Sequence, residues 1–402
     1  MAVYAVGSVG TGAFYAFNNF VLPPLLKAFG APDLVIGLLS STRSIEGALI
    51  QPTVGVVSDR LWTPIGRRRP FILIGIPLSA LCFVAGAFVH DLLALGLVIV
   101  LFSIFFNVAV DPYTALLADI TPLHQRGWLS GLATGAQLVS SVVFLVLIVI
   151  GSSGGVPVWA YVLVAGVLVA SFGVTVVGIR ELPGRALERE RLSWRTRLQA
   201  LLEHRLAMRY LVTLFVYQFG LNAILPYLVL FVVEDIGQTQ QVAFALSAGL
   251  LVVTALGAVV FGKLADRLGT HRVLALGWGL LAASAVAGVF IRTLDQTIIV
   301  VLVAGLGNGA ATAVSWPLLS ALIPPERTVV FAGLKAAAES IAIPISVVVA
   351  AEVFLPRLGY RGIFAMLAMS IILALVLLLR FVRVPHILAP SAGVAKWQTR
   401  RT

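Results

Sequence analysis

The heptapeptide Gly55-Val56-Val57-Ser58-Asp59-Arg60-Leu61 returns 207 residues later as Gly262-Lys263-Leu264-Ala265-Asp266-Arg267-Leu268, each time where an apolar stretch ends. A polar junction repeated with this spacing marks two copies of one unit, and the apolar stretches leading into it make that unit a membrane one. Composition admits little else. Of 402 residues, 60% are hydrophobic and 11% charged, and the mean hydropathy is +1.03, more apolar surface than a soluble fold can hide from water. The net charge of +11 does not build a nucleic-acid-binding face, because the cations sit in short gaps between apolar runs.

Crossing about 30 Å of hydrocarbon takes roughly 20 helical residues. Twelve runs qualify, near 4–26, 34–57, 71–89, 93–116, 128–150, 156–179, 210–233, 241–262, 272–291, 296–318, 329–354 and 362–384. None alternates with period 2, so they read as helices that satisfy their own backbone groups. The odd-numbered gaps hold only Lys27, Arg292, Arg357 and Arg361, while Arg43 and Lys335 lie inside runs; the rest of the 28 Lys and Arg fall in the even-numbered gaps and the C-terminal tail. Both termini are therefore expected on the cytoplasmic side. The first run starts almost at Met1 without a basic leader or a small-residue cleavage site, so it reads as a retained span. Cys82 is the single cysteine, which leaves no internal disulfide and no thiolate cluster.

A second internal match places Asn19-Phe-Val-Leu22-Pro23 in the first run opposite Asn222-Ala-Ile-Leu225-Pro226 in the seventh. A looser one sets Asn107, Asp111 and Thr114 beside Asn308, Thr312 and Ser315 at the same spacing. The expected organisation is a six-helix bundle over 1–179, a cytoplasmic linker over 180–209, a second bundle over 210–384 and a tail over 385–402. In the linker, Ser193 can cap a helix whose Trp194, Leu198, Leu201 and Leu202 form an apolar stripe, an interfacial helix or a plain connector.

The first junction continues through Arg67, Arg68 and Arg69. These arginines anchor the topology, and they can pair with Asp59 or with Asp119 at the end of the fourth run. Asp59 can also face a helix N-terminus of the opposite bundle, with the start of the eleventh run as the candidate. Such a contact, made in one state and released in another, would build a gate from Gly55, Asp59, Arg60, Arg67, Arg68, Arg69 and Asp119, with Gly262, Asp266 and Arg267 as its second copy.

The Gly-x-x-x-Asp-Arg junction in both halves resembles the loop motif of the major facilitator superfamily, whose members are built from such repeats. Gln51-Pro52-Thr-Val-Gly55-Val-Val-Ser58-Asp59-Arg60, then Gly66-Arg67-Arg68-Arg69-Pro70, is similar to the sucrose-type branch of the glycoside-pentoside-hexuronide:cation symporters. Asn107 and the segment from Pro112 to Asp119 resemble that branch's fourth helix, while Thr114 and Ser103 stand where its plant members carry arginine and aspartate. The resemblance implies an all-α membrane protein with twelve transmembrane helices in two pseudo-symmetric bundles, the major facilitator fold. It implies a secondary active transporter moving a small polar solute, a sugar or glycoside, with protons by alternating access. An exporter of an apolar or pigment-related compound, or a non-transporting sensor on the same scaffold, is the alternative.

The resemblance also places the first, fourth, seventh and tenth helices around a central cavity. They carry Tyr15, Asn18 and Asn19; Ser103, Asn107, Asp111 and Thr114; Gln218 and Asn222; and Asn308, Thr312, Ser315 and Trp316. Amides and carboxylates beside an aromatic ring suit a polyol, although Asn, Ser and Thr also simply bridge helices at about 0.6 kcal/mol each. Charges inside spans need stronger reasons, since each costs at least about 2.5 kcal/mol at the bilayer centre. Arg43 and Glu46, and Lys335 and Glu339, are pairs at helical spacing that can neutralise each other, exchange partners or take up a proton. Asp111 has no cation near it in sequence and is the first candidate for proton or solute binding.

Gly257 to Leu264 imitates a phosphate loop but ends in Leu264 where a hydroxyl is required, and the five histidines are scattered without metal-ligand spacing. No cofactor, metal or enzymatic site is expected. The expected partners are lipid, a small solute and protons, not nucleic acid, for a monomer in the plasma (inner) membrane.

Overall fold

The computed structural model describes residues 2–41, 54, 57–58, 61–121, 125–152, 155–179, 181, 204–323 and 328–382. Arg43, Glu46, Gly55, Asp59, Arg60 and the proposed linker helix lie outside the described residues. In the first half, α1 is Ala2–Ala16 continued through a π-helical turn, Phe17–Val21, into Leu22–Ala28, and α2 is described over Asp33–Ser40. Then come α3 (Arg69–Ala85), α4 (Leu92–Ile120), α5 (Arg126–Gly151) and α6 (Val158–Gly178). In the second half, α7 is Arg205–Ile224 prolonged through a 3-10 turn at Leu225–Tyr227 and a π-turn at Phe231–Asp235. It is followed by α8 (Gln240–Leu268), α9 (Thr270–Val289), α10 (Leu294–Ala321), α11 (Thr328–Val349) and α12 (Tyr360–Phe381). Among the described residues ten helices are long and apolar enough to cross a membrane.

The duplication governs the packing. In the first half α1 packs on α5 and α6, and α3 on α4 and α6; in the second, α7 packs on α11 and α12, and α9 on α10 and α12. The halves meet where α5 runs along α8 and where α2 touches α11. Equivalent glycines fix the register, because a Cβ on Gly75 would meet Phe105 O and Ala109 N, and one on Gly277 would meet Gly307 O and Ala311 N. Phe105 therefore corresponds to Gly307, and Asn107 to Gly309. The expected match of Asn107 with Asn308 is one residue out: Asn308 stands where the first half has Phe106. The helix caps agree with this register, with Asp91 accepting Ala94 N–H at the start of α4 and Thr293 accepting Gln296 N–H at the start of α10.

Lipid is as apolar as leucine, so close packing and hydroxyl bridges hold the bundles instead of burial from water. Ser140, Ser141 and Thr175 of α5 and α6 donate to the Val9, Gly12 and Val3 carbonyls of α1 at 2.6, 2.7 and 3.1 Å. Tyr113 donates to Tyr4 O at 2.6 Å and lies against Gly7, while in the second half Tyr210 of α7 donates to Ser315 O. The large and small residues have changed places between equivalent helices, so the space stays filled. Gly305 and Gly309, small residues one helical turn apart, admit α8 closely. Gly131 and Gly135 meet no neighbour within 4 Å. That face of α5 borders an apolar groove beside α6 with Val9 and Ala13 at its base, because α1 separates the two helices there.

Candidate solute site and gate

Pro23 and Pro24 remove the N–H groups that would bond the carbonyls of Asn19 and Phe20, and the α1 ladder opens into the π-turn carrying Asn18 and Asn19. At the equivalent point of α7, Pro226 cannot bond Asn222 O, and the helix tightens into its 3-10 turn. These two irregular turns flank a cavity of about 220 Å³. Its polar side chains are Tyr15, Asn18, Asn19 and Asn222, four of the candidate site residues, together with Ser40, Ser41 and Gln137, which sequence reasoning missed. Gln137 is a lone amide in the middle of an apolar span, and that isolation was the available signal.

Asn18 donates to Ser40 O and, at 3.3 Å, to Asn19 Oδ1, tying α1 to the end of α2. Asn222 donates to Gln218 O at 2.8 Å within its own helix, with Gln218 Oε1 at 3.5 Å. Leu225, Pro226 and Ile343 complete the wall. The cavity is thus lined by α1, α2, α5, α7 and α11, so that of the expected α1, α4, α7 and α10 only α1 and α7 reach it.

The other expected site residues lie elsewhere. Asn107 is buried and donates to Ser103 O at 2.9 Å, so it serves the α4 spine. Asp111 is half-buried, and its carbonyl accepts the exposed Thr114 hydroxyl. On α10, Asn308 Oδ1 accepts Tyr217 Oη at 3.1 Å, its carbonyl accepts the exposed Thr312 hydroxyl, and Trp316 is 37% exposed. Lys335 and Glu339 form the ion pair that their spacing predicts, each partly buried.

At the face carrying the arginine loop, Arg67 and Arg68 both reach Asp119 Oδ2, at 2.8 and 3.2 Å, and Arg68 also reaches Ser58 Oγ. The helix N-terminus that holds a carboxylate here is that of α3, and the acid is Glu181. Its oxygens accept the backbone N–H groups of Arg67 at 2.7 Å and of Arg68 and Arg69 at 3.0 Å, satisfying donors that a helix start leaves unpaired. Gly66, at φ +119°, lies so close that a Cβ would stand 2.7 Å from Glu181 Oε1. In the second copy Asp266 and Arg267 are exposed and form no ion pair among the described residues. At the opposite face the halves are joined. Tyr227 Oη donates to Asp33 O at 2.8 Å, Gln241 donates to Ser152 O at 2.9 Å, and Gly37 lies against Val347 and Tyr227.

Two equivalent bundles around a polar cavity, latched at one face, define a multi-pass integral membrane transporter of the major facilitator type. The chain belongs to the MFS/sugar transport protein family, whose model matches residues 3–351. It is similar to the multidrug resistance protein MdtG of Serratia proteamaculans (strain 568), 26% identical over 76% of this chain and 75% of that protein. It is also similar to the sucrose transport protein SUT3 of Oryza sativa subsp. indica, 32% identical over 23% of this chain and 18% of that one. Among solved structures, a D-xylose-proton symporter shares the fold with a TM-score of 0.73 at 16% identity, over 95% of this chain and 98% of that chain.

Proposed function

We propose that the protein moves a small polar solute, a sugar or glycoside, together with protons by alternating access. The observation that carries this reading is the cavity between the bundles, which amides from both halves line together. Asn18, Asn19, Gln137 and Asn222 offer paired donors and acceptors of the kind that hydroxyls require, and Tyr15 offers a ring for a C–H face. The loop charge bias makes the arginine face cytoplasmic, with both termini on that side of the plasma (inner) membrane. On that orientation the far latch closes the outside. Asp111 is the proposed proton carrier, and the loop around Arg67, Arg68 and Asp119 is the proposed inner gate. The protein is proposed to act as a monomer.

The test is solute uptake into proteoliposomes under an imposed pH gradient. Gradient-driven accumulation supports the reading, and Asp111→Asn is expected to abolish it while equilibrium binding persists. Normal accumulation by that variant removes Asp111 from the coupling role. Binding without flux of any solute points to a sensor. The MdtG similarity, which spans far more of the chain than the SUT3 match, favours a second reading as an exporter of apolar compounds. Gradient-driven loss of an apolar dye from loaded vesicles, without sugar uptake, would select it.

A further inference from the structure

A groove of about 750 Å³ runs along the outside of the first bundle, larger than the central cavity of about 220 Å³. One wall is a stripe of α5 from Gly131 to Leu147, with Leu163 and Val167 of α6 opposite and Val9 and Ala13 of α1 as the floor. The glycines make the room, since a Cβ on Gly131 or Gly135 would meet nothing within 4 Å. The groove opens toward lipid, because Val139 and Val143 on its α5 rim are 64% and 52% exposed on a helix that spans the membrane. The one hydroxyl in its lining, that of Ser140, is spent on Val9 O at 2.6 Å, so the surface it offers is apolar.

At this depth the surroundings are hydrocarbon, and an unfilled groove forfeits the contacts of every atom along it. Shape then selects the occupant. From Gly131 to Leu147 the groove is roughly 24 Å long at the rise of a helix, which leaves a mean cross-section of about 30 Å². A helix about 10–12 Å across needs roughly 80 Å² or more, so a helix of a second copy does not fit inside. Apolar contacts at about 4.0–4.5 Å give an extended alkyl chain a cross-section of roughly 20 Å², which does fit.

The end of the groove at the arginine face supplies the complementary charge. There α5 begins at Arg126, little more than one turn before Gly131, and no side chain caps its start. A helix start with its partial positive charge, in a turn that holds a cationic residue, stands at the level of the lipid phosphates. Trp128 in the same turn is 63% exposed, as suits an indole at the head-group boundary.

We propose that the groove is a binding site for one acyl chain of a bilayer phospholipid, whose phosphate lies at the start of α5. Bound there, the chain braces the back of α1 against α5, a little more than one turn from Asn18 on the cavity wall. The site does not depend on which solute the central cavity carries.

The test uses the full chain in phosphatidylcholine vesicles that contain a phosphatidylglycerol with a diazirine on one acyl chain. After irradiation, mass spectrometry is expected to find label concentrated on residues 131–147 and 163–167. The comparison is the outward face of α3, where Ile74 and Leu81 are 61% and 68% exposed to lipid without a groove. Gly131→Leu and Gly135→Leu, which fill open space, are expected to remove the excess while labelling of α3 stays at the wild-type level, a sign that the variants are folded. A diacylglycerol carrying the same chain, and so no phosphate, is expected to label the groove less. Equal labelling of groove and α3, or an excess that survives in both variants, overturns the proposal. Equal labelling by the diacylglycerol overturns the assignment to a phospholipid. A disulfide between two copies through Gly135→Cys in a Cys82→Ala chain puts a second copy in the groove and overturns it as well.

Discussion

Tyr227 of α7 donates its hydroxyl to the backbone carbonyl of Asp33 at 2.8 Å, and the two residues belong to different bundles. The bond sits beside Gly37, whose missing side chain lets Tyr227 and Val347 close over α2. On the alternating-access reading a contact of this kind is made only while the far face is shut, so it would bias the choice between two arrangements of the same bundles.

Tyr227→Phe is expected to shift that choice. A polar bridge between membrane helices averages about 0.6 kcal/mol, so the population open at the far face should rise roughly threefold. Spin-label distances between the far ends of α2 and α11 would report the change. Unaltered distance distributions would show that the bond follows closure without stabilising it.

The two cavity amides should separate binding from structure. Asn222 bonds only within α7 among the described residues, so Asn222→Ala is expected to weaken solute binding while leaving the melting temperature nearly unchanged. Asn18 also holds α1 to α2, so Asn18→Ala is expected to lower both. Calorimetric binding beside a thermal melt of each variant gives the comparison, and equal melting losses would contradict the assignment.

Much of this arrangement was legible in the chain. The repeated junction gave two halves, the hydropathy gave the helices, and the Asn-x-x-Leu-Pro match led to Asn19 and Asn222 on the cavity wall. What escaped has physical causes. A one-residue slip between α4 and α10 turns a side chain about 100° around its helix, enough to confuse Asn308 with the counterpart of Asn107. Spacing could not show that Gly131 and Gly135 face open space, because the same pattern serves tight helix pairs elsewhere in the chain. Glu181 falls at the start of the linker, and only the fold returns it to a loop more than 100 residues earlier.

Lys335 and Glu339 are partly buried inside a span, where a lone charge costs more than a matched pair. Lys335→Met and Glu339→Leu should each destabilise the protein, and the double variant should be more stable than either single one. Melting temperatures in one detergent decide the point. Additive losses would mean that the pair is not coupled.

The Glu181 cap carries the last prediction. Removing a capping side chain from a helix start costs about 0.5–2 kcal/mol, so Glu181→Ala should lower stability by about that amount, since three N–H groups lose their acceptor. Gly66→Ala meets two penalties. Its backbone, at φ +119°, is one that side-chain-bearing residues reach only at about 1–3 kcal/mol, and its Cβ would strike Glu181 Oε1. Only the second depends on Glu181, so Gly66→Ala should be less damaging in the Glu181→Ala background than alone. A double-mutant cycle on unfolding free energies measures that difference. A coupling of zero would mean that the carboxylate moves aside freely, and that the arginine loop reaches Asp119 without being held at α3.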